Sequence, residues 1–404
     1  MDVDKFAEVI HETYKEVETV LQEDLLFGLD DEKLGNITFD RAILDNTGNS
    51  KPGYGILATE RDQGWILMEH IMQTEQLFTK FFHDLDADGK PKLRRERGLE
   101  FLEKIAHFKR LLFILMHFLS GMPKRGMEVV KFKIANLANR MRNFYLMYNH
   151  LAIVGLYNKT SANTGKDNVT LHFLPHSISN LIQRFYYFVG DLERWMVQKL
   201  FPSEVSANWP VYFFSSYGKC WTSKTLSDIL QKQFERLMGI PLNLQQLRHI
   251  LPAISDHYSI TSPTLSGFSL LHHQMGHSSD IGGRFYSRTT DGHHQLTNQF
   301  CHDSLDFCTR IHKLWGFHDI PSIEDSRAYR ESIADKFTGA EEKVFRDQIQ
   351  SMNVKLDKQK EANDRILDEL QTLKSLLSNQ LANPSHTFHD TEVYFLLFKF
   401  SCGM

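Results

Sequence analysis

Apolar positions along this chain recur mostly at helical spacing. Residues 1–25 and 65–83 carry the i, i+3, i+4 pattern of amphipathic helices, joined by a Gly/Asp/Asn-rich stretch around 44–55. The same pattern predicts helices over 92–120, 127–148, 176–200 and 223–238. A second helical cluster then runs to about residue 300, with a connector to about 340. One region breaks the period. Residues 152–157 (AIVGLY) and 169–174 (VTLHFL) are short β-prone runs flanking 160–168, where Asn163, Gly165 and Asp167 signal a turn. A hairpin inside an α-rich chain is the expectation.

Over 345–380 the apolar period tightens to alternate threes and fours. Positions 349, 356, 363, 370 and 377 read Ile, Leu, Asn, Leu, Leu, and 352, 359, 366 and 373 read Met, Gln, Ile, Leu. That is a coiled-coil stripe, and Asn363 resembles the buried Asn that selects a two-stranded register. A lone amphipathic helix folding back on its own domain would carry the same stripe. The tail from 384 onward has no partner pattern.

Composition narrows the class. With 42% hydrophobic and 24% charged residues, the chain can bury real cores and is not a disordered polymer. The longest apolar run, residues 111–120, is half the roughly 20 residues a spanning helix needs, so no membrane span is expected. The start MDVDKFAEVI lacks the layout of a signal peptide. Four cysteines (Cys220, Cys301, Cys308, Cys402) without a paired pattern suit a reducing compartment.

Charge changes the picture more. The formal net charge is −4, yet residues 90–142 hold 14 Lys/Arg against 4 Glu, so this stretch is +10 and the remainder −14. Basic helices interrupted by apolar stripes suggest a phosphate-facing surface; a solvated helical face is the alternative.

Three motifs imitate chemistry. Asp84-x-Asp86-x-Asp88-Gly89 begins like a calcium loop, but Arg95 stands where the bidentate Glu belongs and Pro91 interrupts it. Cys301, His302, Cys308 and His312 fit no zinc spacing; on a helix 301, 308 and 312 share a face, as core residues do. No G-x-x-x-x-G-K-[ST] occurs, which argues against a nucleotide-driven motor.

Between 245 and 286 lies a constellation of another kind: Leu247-Arg248-His249 opening a predicted helix, then Met275-Gly276-His277-Ser278-Ser279, then Tyr286 nine residues after His277. In order and spacing this resembles the C-terminal signature of the tyrosine recombinases, the phage-integrase class: H-x-L-R-H, L-G-H-S-S, then the nucleophilic Tyr. The resemblance implies an upstream arginine in an R-x-x-E context and a hairpin lysine. Arg125-x-x-Glu128 follows the hydrophobic helix, and Lys159 follows the first β-run, with Lys166 as competitor. The interval from Arg125 to Tyr286 is 161 residues, reasonable for such a domain. Within the class the likeness is nearest to fungal-type recombinase-like regions of transposon-like elements and telomere-linked helicase genes. It rests on KPGYGILATERDQGW (51–65), the Pro-Lys-Arg-Gly start, and Tyr157-Asn158-Lys159 followed by Leu-Pro at 174–175. It covers roughly 50–300.

The implied roles make physical sense. A tyrosine hydroxyl of ordinary pKa near 10 is a weak nucleophile that its site must activate. Two arginines, Arg125 and Arg248, would clamp the non-bridging phosphate oxygens with forked donors. His277 would add a hydrogen bond there, and Lys159 would protonate the leaving 5′ oxygen. Glu128 and His249 would orient this set. The covalent 3′-phosphotyrosine conserves the bond energy, so neither cofactor nor metal is expected. One residue departs from the pattern. Gln245 stands where the first His belongs, and glutamine hydrogen-bonds but cannot take the tyrosine proton.

The expected protein is therefore mostly α with a small antiparallel β-sheet (α+β), two-lobed and clamping DNA. Residues 1–118 form an N-terminal helical DNA-binding domain, 119–300 a catalytic domain, 301–340 a helical connector, 341–383 a coiled coil and 384–404 a tail. Double-stranded DNA and further copies of the chain are the expected partners, with the nucleus as the compartment in a eukaryote and the cytoplasm otherwise. A catalytically degenerate DNA-binding remnant of the same fold, or a coiled-coil scaffold, are the alternatives.

Overall fold

The structure, a computed structural model, describes residues 2–29, 45–58, 66–85, 91–155, 169–202, 209–258, 260, 270–271, 274–275, 286–288, 294–296, 298–334 and 372, with 84–85, 286–288 and 294–296 by their backbone alone. The chain divides into two compact units, Met1–Phe337 and Thr338–Met404. The coiled-coil stripe falls in the second and lies outside the described residues, as does the tail.

The first unit is mostly helical with small antiparallel sheets, an α+β protein. Helix α1 (Val3–Thr19) starts on Asp2, whose carboxylate accepts from Asp4 N–H, and runs into a π-helical turn at Val20–Leu25. Where one helix was expected over 65–83, Thr74 adopts an extended backbone and separates α2 (Ile66–Gln73) from α3 (Glu75–Phe81). Strands β1 (Phe82–Leu85) and β2 (Pro91–Leu93) then pair antiparallel, and Asp84, the first residue of the calcium-like motif, belongs to β1.

Helix α4 (Arg95–Leu119) is the spine. Every residue from 111 to 119 is buried, which explains a run too apolar for a surface helix and too short for a membrane. It packs against α1, the π-helical turn and elements on both sides of the sequence boundary expected at 118/119. No helix among the described residues is long and apolar enough to cross a membrane.

The helix expected over 127–148 is a correction. Only a single turn forms, α5 (Gly126–Val129), before β3 (Phe144–Met147). Tyr148 and Asn149 both have positive φ, 52° and 60°, and Met147 pairs with His150 across them. That is the two-residue turn whose twist suits a hairpin, and it commits the preceding residues to a strand. The predicted hairpin is present as β4 (His150–Gly155) and β5 (Thr170–Phe173), so the sheet order is β3-β4-β5. Its core strands are buried on both faces, with α6 (His176–Arg184) against β4 and a later helix against β5.

A π-helical turn links α6 to α7 (Gly190–Leu200), and a small pair, β6 (Ser215–Ser216) and β7 (Lys219–Cys220), follows. Helix α8 (Ser223–Met238) has a Thr222/Thr225 capping box and ends on Gly239 in the left-handed region; α9 (Leu244–His257) has an Asn243/Gln246 capping box. A two-stranded ribbon, β8 (Tyr286–Arg288) and β9 (His294–Leu296), precedes α10 (Asn298–Leu314) and α11 (Ile323–Ala334). The helical connector expected over 301–340 is helical in α10 and α11 where described, to residue 334, and it packs: Trp315 and Phe317 are buried, and His11 Nε2 lies 2.8 Å from the Trp315 carbonyl.

Cys301, Cys308 and His312 share the buried face of α10, as core residues. The Cys308 thiol donates to Ser120 O, and His312 Nε2 lies 2.8 Å from Leu119 O and 3.1 Å from Phe173 O. Among the described residues no group of three His, Cys, Asp or Glu side chains is placed to hold a metal ion.

Candidate active site

The turn after α4 carries Lys124 and Arg125. Gly121 opens it at φ +98°, a conformation that L side chains rarely adopt. Arg125 then takes an extended backbone as the N-cap of α5, and its Nη1 lies 3.3 Å from Glu128 Oε1. Glu128 is buried while Arg125 is one-third exposed, so the carboxylate holds the guanidinium from below. Gly126 sits against the start of α8: a β-carbon there would come 2.2 Å from Ser223 Oγ and 2.9 Å from Leu244 Cδ1. The arginine turn is therefore docked on the N-terminal ends of α8 and α9.

Helix α9 supplies Arg248 from its inner side. Nη1 donates to Pro123 O at 3.0 Å and Nη2 to Met275 O at 3.3 Å. One forked side chain thus ties the Arg125 turn to the residue just before Gly276-His277. Burial lowers the Arg248 pKa to about 10, with the Arg125 charge as the next cause and Glu128 opposing. The two guanidiniums are close enough to repel, although 123 residues separate them in sequence. Arg248 remains cationic at neutral pH.

Two further groups feel this charge. Lys124 is buried and donates to Thr170 Oγ1 on β5; burial pushes its ammonium down to about 8, with Glu128 raising it and Arg248 lowering it. His117, on the inner face of α4, is held neutral at about 3 by burial and by Arg248. Beside them lies a cavity of about 20 Å³ lined by His117, Ser120, Lys124 and His172 among apolar side chains.

The structure brings together Arg125, Glu128 and Arg248. Gln245 and His249 are exposed on α9, one turn before Arg248 and one residue after it. Tyr286 begins strand β8, opposite Leu296, and is described by its backbone. Lys159, its competitor Lys166, and His277 lie outside the described residues. Lys124, His117 and Gln274 were missed in the sequence. Lys124 adjoins Arg125 in a plainly basic run, and nothing in that run marks it as buried.

No known family model matches this chain, and no solved structure matches it.

Proposed function

We propose that this chain binds double-stranded DNA and breaks and rejoins it through a 3′-phosphotyrosine intermediate, in the manner of site-specific recombinases and integrases. The observation that carries this reading is the convergence of Arg125 and Arg248, the former held by Glu128 and the latter by Pro123 O and Met275 O. Repelling guanidiniums kept side by side suit a ligand with two negative oxygens, and a phosphodiester in the act of cleavage presents them.

In this reading the Tyr286 hydroxyl releases its proton to solvent water, its oxygen attacks phosphorus and the bond to the 5′ oxygen breaks. Lys159 gives that oxygen its proton, and His277 adds a hydrogen bond to the phosphoryl group. Glu128 orients Arg125, and His249 follows Arg248 on the same helix. Copies of the chain assemble through the 341–383 stripe, since strand exchange needs several active sites. The nucleus is the compartment in a eukaryote.

Gln245 favours a second reading, a DNA-binding remnant without chemistry, because an amide in place of imidazole accepts no proton. Trapping on a nicked suicide duplex separates the two. The first reading expects a covalent protein–DNA adduct that Tyr286→Phe abolishes with affinity nearly unchanged. An adduct that survives in the Phe variant removes Tyr286 from the role. DNA binding without any adduct leaves the remnant, and no salt-dependent DNA binding at all leaves the scaffold.

A further inference from the structure

Gln274 stands one residue before the carbonyl that Arg248 holds and three before His277. It is 1% exposed, and both ends of its amide are engaged. Oε1 accepts from the Met122 N–H at 3.0 Å, and Nε2 donates to Leu171 O on β5 at 2.9 Å, with the Cys308 sulfur 3.6 Å away. Gly121 is shaped around it: a β-carbon there would lie 2.5 Å from Oε1. One buried amide thus binds the turn leading to Arg125, the strand that closes the hairpin, and the segment that leads into His277. These three pieces come from distant parts of the sequence.

From this geometry we infer that Gln274 is a positioning residue for strand cleavage. Its amide sets Gln274 and Met275 against the Arg125 turn and β5, so that the groups which follow meet the phosphate in register with the two arginines. The inference rests on the reading of the site as a DNA-cleaving one. Arg248 ties two of these pieces, the Arg125 turn and Met275, through Pro123 O and Met275 O. Gln274 ties them from the core side. The inner tie fixes the approach of Gln274 and Met275, because a buried amide with both ends satisfied has one arrangement and a high cost for any other.

The test uses the full chain in two variants. Gln274→Met keeps the length and removes both hydrogen bonds. Gln274→Glu keeps the acceptor for Met122 N–H, and regains a donor for Leu171 O only when its carboxyl is protonated. The charged and titratable groups around this position are Cys308, at about 11, and His312, at about 3, on α10, Lys124, at about 8, on the turn, Arg248, at about 10, on α9 beside Met275, and His172 on β5. Adduct formation is followed in a single turnover at saturating suicide DNA, with affinity measured separately and each rate divided by that of the natural chain at the same pH. A misplacement near 1 Å slows chemistry by about 10²-fold. The expected result is a loss of that order for Gln274→Met with little change in affinity. Gln274→Glu is expected to be slow at pH 8 and to recover toward pH 5.5, as the carboxyl takes a proton.

Equal rates for Gln274→Met and the natural chain overturn the inference and leave the reading of the site intact. Parallel losses of affinity and rate in both variants, without recovery at low pH, also overturn it, by reducing Gln274 to a general support of the fold. If the natural chain forms no adduct, the reading falls and any role in cleavage falls with it. The clamp is then judged by hydrogen exchange in the peptide containing Met122. Faster exchange in Gln274→Met upholds it, and unchanged exchange removes it.

Discussion

Arg142 and Asp45 form an ion pair with no exposure on either side chain, Nη2 lying 2.6 Å from Oδ1 across 97 residues of chain. The guanidinium carbon sits 4.7 Å from the Tyr54 ring and 4.3 Å from the Tyr145 ring, and Asp45 Oδ2 accepts from Leu146 N–H at 2.9 Å. A polar, Gly/Asn-rich segment is thereby fastened to β3, on the sheet that borders the site. Asp45→Asn leaves the guanidinium buried without its counter-charge, which costs about 3–5 kcal/mol. Denaturant unfolding checks this, and a change under about 1 kcal/mol would mean that the aromatic rings and the Phe144 and Asn46 carbonyls hold Arg142 without the counter-charge.

The arginines differ in what a lysine can replace. Arg248 spans Pro123 O and Met275 O with its fork, a reach that a single ammonium does not reproduce. Arg248→Lys is expected to slow adduct formation by about 10²-fold or more while affinity falls only a few-fold. Arg125→Lys keeps the charge beside Glu128 and is expected to show the same split. Equal losses in binding and cleavage for both would make them ordinary backbone contacts.

Assembly is expected to follow the apolar stripe Ile349, Met352, Leu356, Ile366, Leu370, Leu373 and Leu377. Each such residue is worth roughly 1.5–3 kcal/mol when buried, so deleting 341–404 removes a driving force visible at micromolar protein. The truncated chain keeps the Met1–Phe337 unit and is expected to fold and bind DNA with reduced self-association. Identical sedimentation of the two chains assigns the stripe to a fold-back contact instead.

What the sequence revealed followed from local signals. Helix α8 could be read residue for residue because Thr222 caps its start and Gly239 stops it. Arg125 and Arg248 were legible only through the order and spacing of the recombinase-like signature, and i,i+3 spacing accounts only for Glu128 meeting Arg125. Strand β3 was not legible. The Tyr148-Asn149 turn needs two residues at positive φ without a glycine, and the sheet imposes that from outside. Gln274 and Lys124 were missed for a related reason. Their roles come from burial against Met122, Leu171 and Thr170, and no pattern near 124 or 274 encodes those partners.

Lys124 gives a test in which the sign is fixed in advance. Its ammonium is lowered from 10.5 to about 8 in the folded chain, burial being the main cause. Below pH 8 both folded and unfolded chains hold the proton, and the full cost of the buried charge is present, about 3 kcal/mol at 1.36 kcal/mol per pKa unit. Between pH 8 and 10.5 the unfolded chain binds more protons than the folded one, so Lys124 makes stability rise with pH across that window. Lys124→Met removes the charge and keeps the apolar stem. The variant is expected to be more stable than the natural chain at pH 7, by somewhat less than that figure because the bond to Thr170 Oγ1 is lost with the charge. Its advantage is expected to shrink steadily from pH 8 to pH 10.5. Denaturant unfolding at pH 7, 8.5 and 10 measures this directly. A variant less stable at pH 7, or an advantage independent of pH, would show that the Thr170 bond and the neighbouring Glu128 outweigh the desolvation of Lys124.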